Sequence, residues 1–268
     1  MDVVVITGVG GMGIACAHRL GAGRHLVLAD FDEAKLGVVS DALIADGFTV
    51  TPHRVDVSDR ASVDGLASAV RDVGTLRTLV HTAGLSPTQA TAERVLEVDM
   101  LGTDHVLAAF FELVTEGTVA VCIASMAGSI ANLPADRERA LATAATEDLM
   151  DELEGLDLSD FGATYSVAKR INQLRVEQAA VKWGARGGRV VSISPGIIST
   201  PMTHQELSEG AGEQMQGMLA ISPVPRIGTA EDIAAAVQWL SSAQASFVSG
   251  CDLRVDGGVT AAIRGMTP

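Results

Sequence analysis

Short runs of apolar, β-branched residues alternate along the chain with longer stretches whose apolar positions recur at helical spacing. Val3-Val4-Val5-Ile6-Thr7 opens the series and stops at glycine, the pattern of a strand buried on both faces. Runs of the same character follow at 25–30, 49–57, 75–80, 118–124, 189–194 and 251–255. The segments between them, at 32–47, 58–73, 91–115, 165–184 and 229–241, read as helices, the last opened by the capping sequence Thr229-Ala230-Glu231-Asp232. Alternating strands and helices with short connections predict an α/β fold, a doubly wound parallel sheet of about seven strands covered on both faces. Two stretches break the rhythm. The Ala-rich, acidic segment 134–164 has helical propensity and an amphipathic pattern, and 199–224 is loop-rich and apolar. Neither is bounded by a linker, so the expectation is one domain.

Composition supports this picture and narrows the partners. Of the 268 residues, 47% are hydrophobic and 19% charged, as a large buried core requires. Aromatics at 3% leave no stacking platform for single-stranded nucleic acid, and a net charge of −14 repels phosphate backbones and anionic membranes. No nucleic-acid or membrane partner is expected. Cys16, Cys122 and Cys251 are scattered, each in an apolar stretch, and are expected to be buried reduced thiols with no metal site. With no charged and apolar leader and no long apolar span, a cytoplasmic protein is expected.

The candidate chemistry starts where the first strand ends. Gly8-Val9-Gly10-Gly11-Met12-Gly13 joins a strand to a helix N-terminus, the setting in which backbone N–H groups approach a dinucleotide pyrophosphate. A tight turn needing positive φ would use the same residues. The second strand ends at Asp30, about 20 residues on, where a carboxylate accepts hydrogen bonds from the adenine ribose hydroxyls. No Arg or Lys stands in the turn or next to Asp30 in sequence to receive a 2′-phosphate, so NAD is expected over NADP. The alternative role for Asp30 is an N-cap for the next helix.

The second centre is Tyr165-Ser166-Val167-Ala168-Lys169, which contains the only tyrosine in the chain. Residues four apart share a helix face, so the ammonium stands beside the phenol and favours the phenolate. Such a tyrosine can act as a general acid or base near neutral pH. Ser125 follows the fifth strand, at the carboxyl edge where ligands bind in doubly wound sheets.

In this order the residues resemble the short-chain dehydrogenase/reductase family. The likeness runs from Val3 to Gly258 through Thr7-Gly8…Gly11-Met12-Gly13, Asp30, Asp56-Val57, Ala83-Gly84, Ser125, Tyr165…Lys169, Pro195-Gly196…Thr200-Pro201-Met202 and Asp256-Gly257-Gly258. The segment after Ser125 and the tail look most like the bacterial 3α-hydroxysteroid dehydrogenase/carbonyl reductase subgroup. The resemblance implies a Rossmann-type domain binding NAD, and an oxidoreductase with Tyr165 as proton donor or acceptor. It implies that Lys169 assists Tyr165 and holds the nicotinamide ribose, and that Ser125 stabilises the substrate oxygen. It further implies that Asp56 and Val57 contact adenine, that Ala83, Gly84, Pro195 and Gly196 line the cofactor, and that Ile198 and Thr200 hold the carboxamide. A homo-oligomer, dimer or tetramer, paired through the helices at 91–115 and 165–184, is implied by the family alone.

Three departures stand out. The glycine turn is one residue shorter than the family's Thr-Gly-x-x-x-Gly-x-Gly. The family's Asn-Asn-Ala-Gly is His81-Thr82-Ala83-Gly84 here, with His81 read as structural rather than as a proton shuttle. The asparagine completing the family's catalytic tetrad is Asp99, able to serve if its main-chain carbonyl binds a relay water. The expected substrate lid at 199–224 carries Met202, Leu207, Met215, Met218, Leu219 and Ile221, with His204 and Glu206 unassigned, and no Lys or Arg lies between Arg189 and Arg226. A neutral alcohol or ketone, alicyclic or steroid-like, fits such a lid, although the methionines could equally serve packing. The alternatives are a 3-oxoacyl thioester reductase and a catalytically silent NAD-binding module.

Overall fold

A computed structural model describes residues 1–86, 90–158, 160–201, 203 and 212–266. Its strands are β1 (Asp2–Thr7), β2 (His25–Asp30), β3 (Thr49–Arg54), β4 (Thr75–His81), β5 (Val119–Ile123), β6 (Arg189–Pro195), β7 (Ile198–Ser199), β8 (Gly228–Thr229) and β9 (Asp252–Val255). Seven form one sheet in the order β3-β2-β1-β4-β5-β6-β9, and β7 pairs with β8 in a minor sheet. Every pairing is parallel. The order reverses between β1 and β4, which opens a crevice at their carboxyl ends.

The chain forms this sheet because its central strands are apolar on both faces. Val3, Val4, Val5 and Ile6 are fully buried, as are Ala120 and Val121 of β5 and Val190, Val191 and Ile193 of β6. Helices cover both sides. On one lie α1 (Gly11–Leu20) and α10 (Ala230–Leu240), packed over Val4, Ile6, Leu28 and Val121. On the other, α3 (Arg60–Val73), α5 (Gly102–Phe110) and α8 (Phe161–Gly184) pack over Val5, Leu79 and Cys122. Thr229 caps α10 through a reciprocal bond pair with Asp232, as its sequence predicts. The remaining helices are α2 (Glu33–Ala45), α4 (Ala92–Val95), α6 (Met126–Ile130), α7 (Ala135–Thr143), α9 (Gly212–Ile221) and α11 (Val259–Met266).

Several expectations are corrected. The long helix at 91–115 is interrupted: α4 passes into a π-helical turn at Leu96–Leu101 before α5, and the end tightens to a 3₁₀ turn at Phe111–Leu113. The third strand stops at Arg54, because Asp56 turns to bind Ser58. Cys251 is exposed, since it sits in the turn leading to the edge strand β9; Cys16 and Cys122 are buried. Pattern reading gave no sign of α6, α11 or the β7–β8 pair, all too short or too close to the end of the chain to show a period. The segment at 134–164 contains α7 and two 3₁₀ turns, and its Leu141, Leu149 and Leu153 form a third core with Met100, Val167, Ala168 and Ile171. Of the expected lid, Met202, His204, Glu206 and Leu207 lie outside the described residues. No described helix is long and apolar enough to cross a membrane, and among the described residues no cluster of His, Cys, Asp or Glu could hold a metal ion.

Candidate active site

The glycine turn lies at the crevice where the sheet order reverses. Gly8 has φ +87°, and a Cβ there would stand 2.6 Å from the Ala83 nitrogen. At Gly13 a Cβ would come within 2.0 Å of the Gly8 carbonyl oxygen. Gly10 has open space instead, and as N-cap of α1 it delivers the helix N-terminus directly. Met12 packs into the core below, and Gly11 lies 3.5 Å, measured from a built Cβ, from the Thr200 methyl. Thr82 takes over the centre of the sheet where the family has asparagine: its hydroxyl lies 2.7 Å from the Gly8 carbonyl and 3.0 Å from that of Thr7.

Asp30 reaches back to this turn. Its Oδ2 accepts from the Val9 N–H at 2.7 Å and its Oδ1 from the Asp32 N–H at 3.0 Å. The helix-cap alternative fails, because the residue capping α2 is Asp32. Adjacency in sequence missed two cations: Lys35, in the first turn of α2, places Nζ 3.9 Å from the Asp30 carboxylate, and Arg54, opposite Asp30 on β3, lies over the Phe31 ring. Asp56 is more tightly engaged than expected. Ser58 donates to Oδ1 from both its nitrogen and its hydroxyl, and Arg94 meets the carboxylate through Nη2 at 3.0 and 3.1 Å. Burial pushes the pKa of Asp56 up, but Ser58 and Arg94 outweigh it, leaving the carboxyl below its ordinary range. Arg94 shows no signal in sequence, since its partner lies 38 positions away. Val57 is buried, and its carbonyl accepts from His105 Nδ1 at 3.1 Å.

At the far side of the crevice β5 ends and Ser125 caps α6, its Oγ accepting the Ala127 N–H at 3.1 Å. Two features seat this turn on α8. Gly128 lies against the main chain of Lys169 and Arg170, where a Cβ would be 2.6 Å from the Lys169 carbonyl carbon. Gln173, buried, donates to Ser194 Oγ at 2.9 Å and lies 3.4 Å from the Ser125 carbonyl. The sequence reading named neither, although a glycine three residues after Ser125 is the visible trace of the close approach. On α8, Lys169 Nζ lies 5.5 Å from the centre of the Tyr165 ring, the juxtaposition that their spacing predicts. Pro195 ends β6; the Gly196 N–H then donates to Val255, and a Cβ on Gly196 would be 2.7 Å from the Asp256 Cα. Ile198 is buried, and its carbonyl takes the Thr203 hydroxyl at 2.6 Å, while Thr200 Oγ1 accepts the Thr203 N–H at 3.3 Å.

Asp99 sits in the π-helical turn, the local widening that helices use to re-aim a side chain. Oδ1 accepts from the Leu85 N–H at 2.7 Å, and Oδ2 faces Lys169 Nζ at 3.1 Å, with side chains 0% and 6% exposed. Burial alone would lower the pKa of Lys169; the Asp99 carboxylate and Tyr165 reverse this and hold it up, as an ammonium. The Asp99 carbonyl accepts the Thr103 hydroxyl at 2.7 Å. Thr103 Oγ1 must then receive its other bond from His81 Nε2, 3.2 Å away, so that His81 Nδ1 accepts from Thr7 Oγ1 at 2.6 Å. Burial pushes His81 down to about 3, with Lys169 adding to the effect. Both nitrogens are committed, so His81 is a neutral brace between β1 and α5.

The residues fit a dinucleotide: Gly8 and Gly13 let the turn and helix close tightly on their own main chain, a Cβ at Gly10 would intrude on the open space at the helix N-terminus, and a carboxylate stands at the end of the next strand. Comparison with known proteins agrees. Residues 2–135 match the family model described as short chain dehydrogenase, and residues 150–260 match one described as Enoyl-(Acyl carrier protein) reductase. The chain is 35% identical to the short-chain dehydrogenase/reductase bsc3 of Alternaria brassicicola, over 97% of this chain and 96% of that one. It is 33% identical to 2-(S)-hydroxypropyl-CoM dehydrogenase 3 of Xanthobacter autotrophicus, over 97% of each. The NADH complex of the 3-alpha-hydroxysteroid dehydrogenase from Pseudomonas sp. B-0831 superposes with a TM-score of 0.80 at 25% identity, covering 99% of this chain and 100% of that one. Matches of this extent, from the glycine turn to the last strand, make the chain a member of the short-chain dehydrogenase/reductase family.

Proposed function

We propose that the protein is an NAD-dependent dehydrogenase/carbonyl reductase that interconverts a neutral secondary alcohol and its ketone. The observation that carries this reading is the Tyr165–Lys169 pair on α8, with α6, the helix that Ser125 caps, packed through Gly128 against the α8 main chain at Lys169. When bound, the nicotinamide supplies or accepts the hydride. The chain's own work is the proton and the charge. Tyr165 gives its phenolic proton to the carbonyl oxygen in reduction and takes one from the alcohol in oxidation. Ser125 Oγ donates to the same oxygen as charge develops, and Lys169 orients the ribose. Gly8, Gly10, Gly11 and Gly13 would hold the pyrophosphate, and Thr200, which stands over Gly11, would hold the carboxamide.

NAD is favoured over NADP because a carboxylate at Asp30, fixed by Val9, would accept the ribose hydroxyls and repel a 2′-phosphate. Lys35 softens this repulsion without removing it, since its nitrogen is directed to Asp30 itself. The apolar α9, with Met215, Met218 and Leu219 half-buried, supports a neutral, bulky substrate. A cytoplasmic homo-oligomer, dimer or tetramer, belongs to the same reading.

The test is a turnover screen of NADH and NADPH with cyclic ketones, steroid ketones and an acetoacetyl thioester. NADH-driven reduction of the cyclic ketones is expected, and Tyr165→Phe should lower kcat by roughly 10²–10⁴ while NAD binding persists. Activity confined to the thioester, a strong NADPH preference, or a fully active Tyr165→Phe would each overturn a stated part of the reading.

A further inference from the structure

The family's tetrad places a neutral amide near the catalytic lysine, and this chain places a carboxylate there. The structure gives it a direct partner. Asp99 Oδ2 and Lys169 Nζ stand 3.1 Å apart, both inside the protein. Two devices hold the contact. The π-helical turn aims Asp99 at α8, and the Leu85 N–H fixes its other oxygen. Gly84 supplies the roof: a Cβ there would press on Asp99 Oδ1 and on Lys169 Nζ, each at 3.1 Å. The main-chain carbonyl of Asp99, the expected relay point, accepts the Thr103 hydroxyl. The direct contact with the catalytic lysine is made by the side chain.

The titratable groups recorded around Lys169 are Asp99, Tyr165, Cys122 and His81. His81 is neutral as argued above, and burial pushes the Cys122 thiol up to about 12. Neither carries charge at neutral pH. Burial pushes the Asp99 carboxyl up, and the Lys169 ammonium and the Leu85 N–H oppose it. The direct contact with Lys169 holds Asp99 as the anion beside the ammonium that would otherwise draw the proton from Tyr165. A carboxylate in contact with that ammonium cancels much of its field at the phenol, because the two opposite charges are seen from Tyr165 as a dipole.

Resting on the function proposed above, we propose that Asp99 is a charge-balancing residue that keeps Tyr165 in its proton-donating form through neutral pH, reserving its action as a base for alkaline conditions. In this site ketone reduction runs at neutral pH without waiting for a proton, and alcohol oxidation rises only as the phenol ionises. Asp99 acts through Lys169, not on the substrate.

The chain's single tyrosine makes the test direct. Phenolate absorbance of the NAD-bound protein is titrated for the parent and for Asp99→Asn, which keeps the shape and an acceptor for Leu85. The midpoint is expected to fall by on the order of one pH unit in the variant. The pH midpoint of kcat/KM for alcohol oxidation should move down with it. Asp99→Ser, also neutral, should behave alike. A midpoint that stays or rises in either variant would overturn the proposal. So would failure of both to fold, since the carboxylate would then be a structural tie alone. The titration needs no turnover: a midpoint that falls in an inactive protein removes only the proposed function, and one that stays put in an active protein removes only this role.

Discussion

Gly13 lies directly beneath the Gly8 carbonyl, and the 2.0 Å left for a Cβ makes it the least replaceable residue of the turn. Gly13→Ala should destabilise the fold by about 1–3 kcal/mol and weaken NAD binding, read by chemical denaturation and by ligand titration. Gly37, on α2 with nothing within 4 Å of a built Cβ, is its control. Gly37→Ala should gain roughly 0.5–1 kcal/mol and leave binding alone; equal losses at both positions would argue against the steric account. At this scale the sequence was informative wherever partners are close along the chain: the turn, its helix, and Tyr165 with Lys169. It was silent where folding supplies the partner. Nothing around Asp99 announces Lys169, 70 positions away, and Arg94 gives no hint of Asp56.

The segment containing α7 is fastened by two arginines of α8. Arg175 of α8 meets the Asp104 carboxylate through Nε and Nη2, both at 2.7 Å, and turns Nη1 to the Ala144 carbonyl at 2.6 Å. Thr146, beyond α7, adds its hydroxyl to Asp104. A second tie runs from Glu138 to Arg170, two oxygens on Nε and Nη2 at 2.6 and 3.1 Å. Removing one member of a buried pair leaves the other charge stranded, so Arg175→Ala should cost about 3 kcal/mol. The loss should appear as faster limited proteolysis within 135–158, with the cleavage sites read by mass spectrometry. First cuts elsewhere would show that the arginine holds something other than this segment. Helical propensity revealed α7 itself, but an amphipathic pattern does not say which surface its apolar side will find, and here that surface is the outer face of α8.

Across the whole molecule, the sheet gathers its central strands around a histidine that cannot be charged in place. Free histidine titrates near 6.5, and burial pushes His81 down to about 3 in the fold. Between those values the unfolded chain takes up a proton that the folded chain refuses, so stability falls as the pH drops through this window and is fully present above it. The limiting slope for one proton is about 1.4 kcal/mol per pH unit. His81→Asn should give a shallower loss between neutral pH and the carboxylate range, measured by urea denaturation at stepped pH, whatever it costs at neutrality. An unchanged slope would place the acid sensitivity elsewhere. Strand order and layer assignment followed from the alternation of patterns, because a fully buried parallel strand leaves little choice of residue. The crossing of β1 to β4, and with it the place of His81 beside Thr7, comes from topology that no local pattern encodes.

The π-helical turn at Leu96–Leu101 has a consequence for what kind of change this chain tolerates. Such a turn holds one residue more than an α-turn of the same span. Deleting a single residue between α4 and Asp99 would let the helix run through with ordinary hydrogen bonds, a local improvement. The same deletion would rotate Asp99 by about 100° about the helix axis, away from Lys169, and the ammonium would face Tyr165 without its counterweight. Here spacing is a variable separate from residue identity: the chain could keep every residue that names its chemistry and still change the pH at which that chemistry runs by the loss of one position in a helix that never touches substrate.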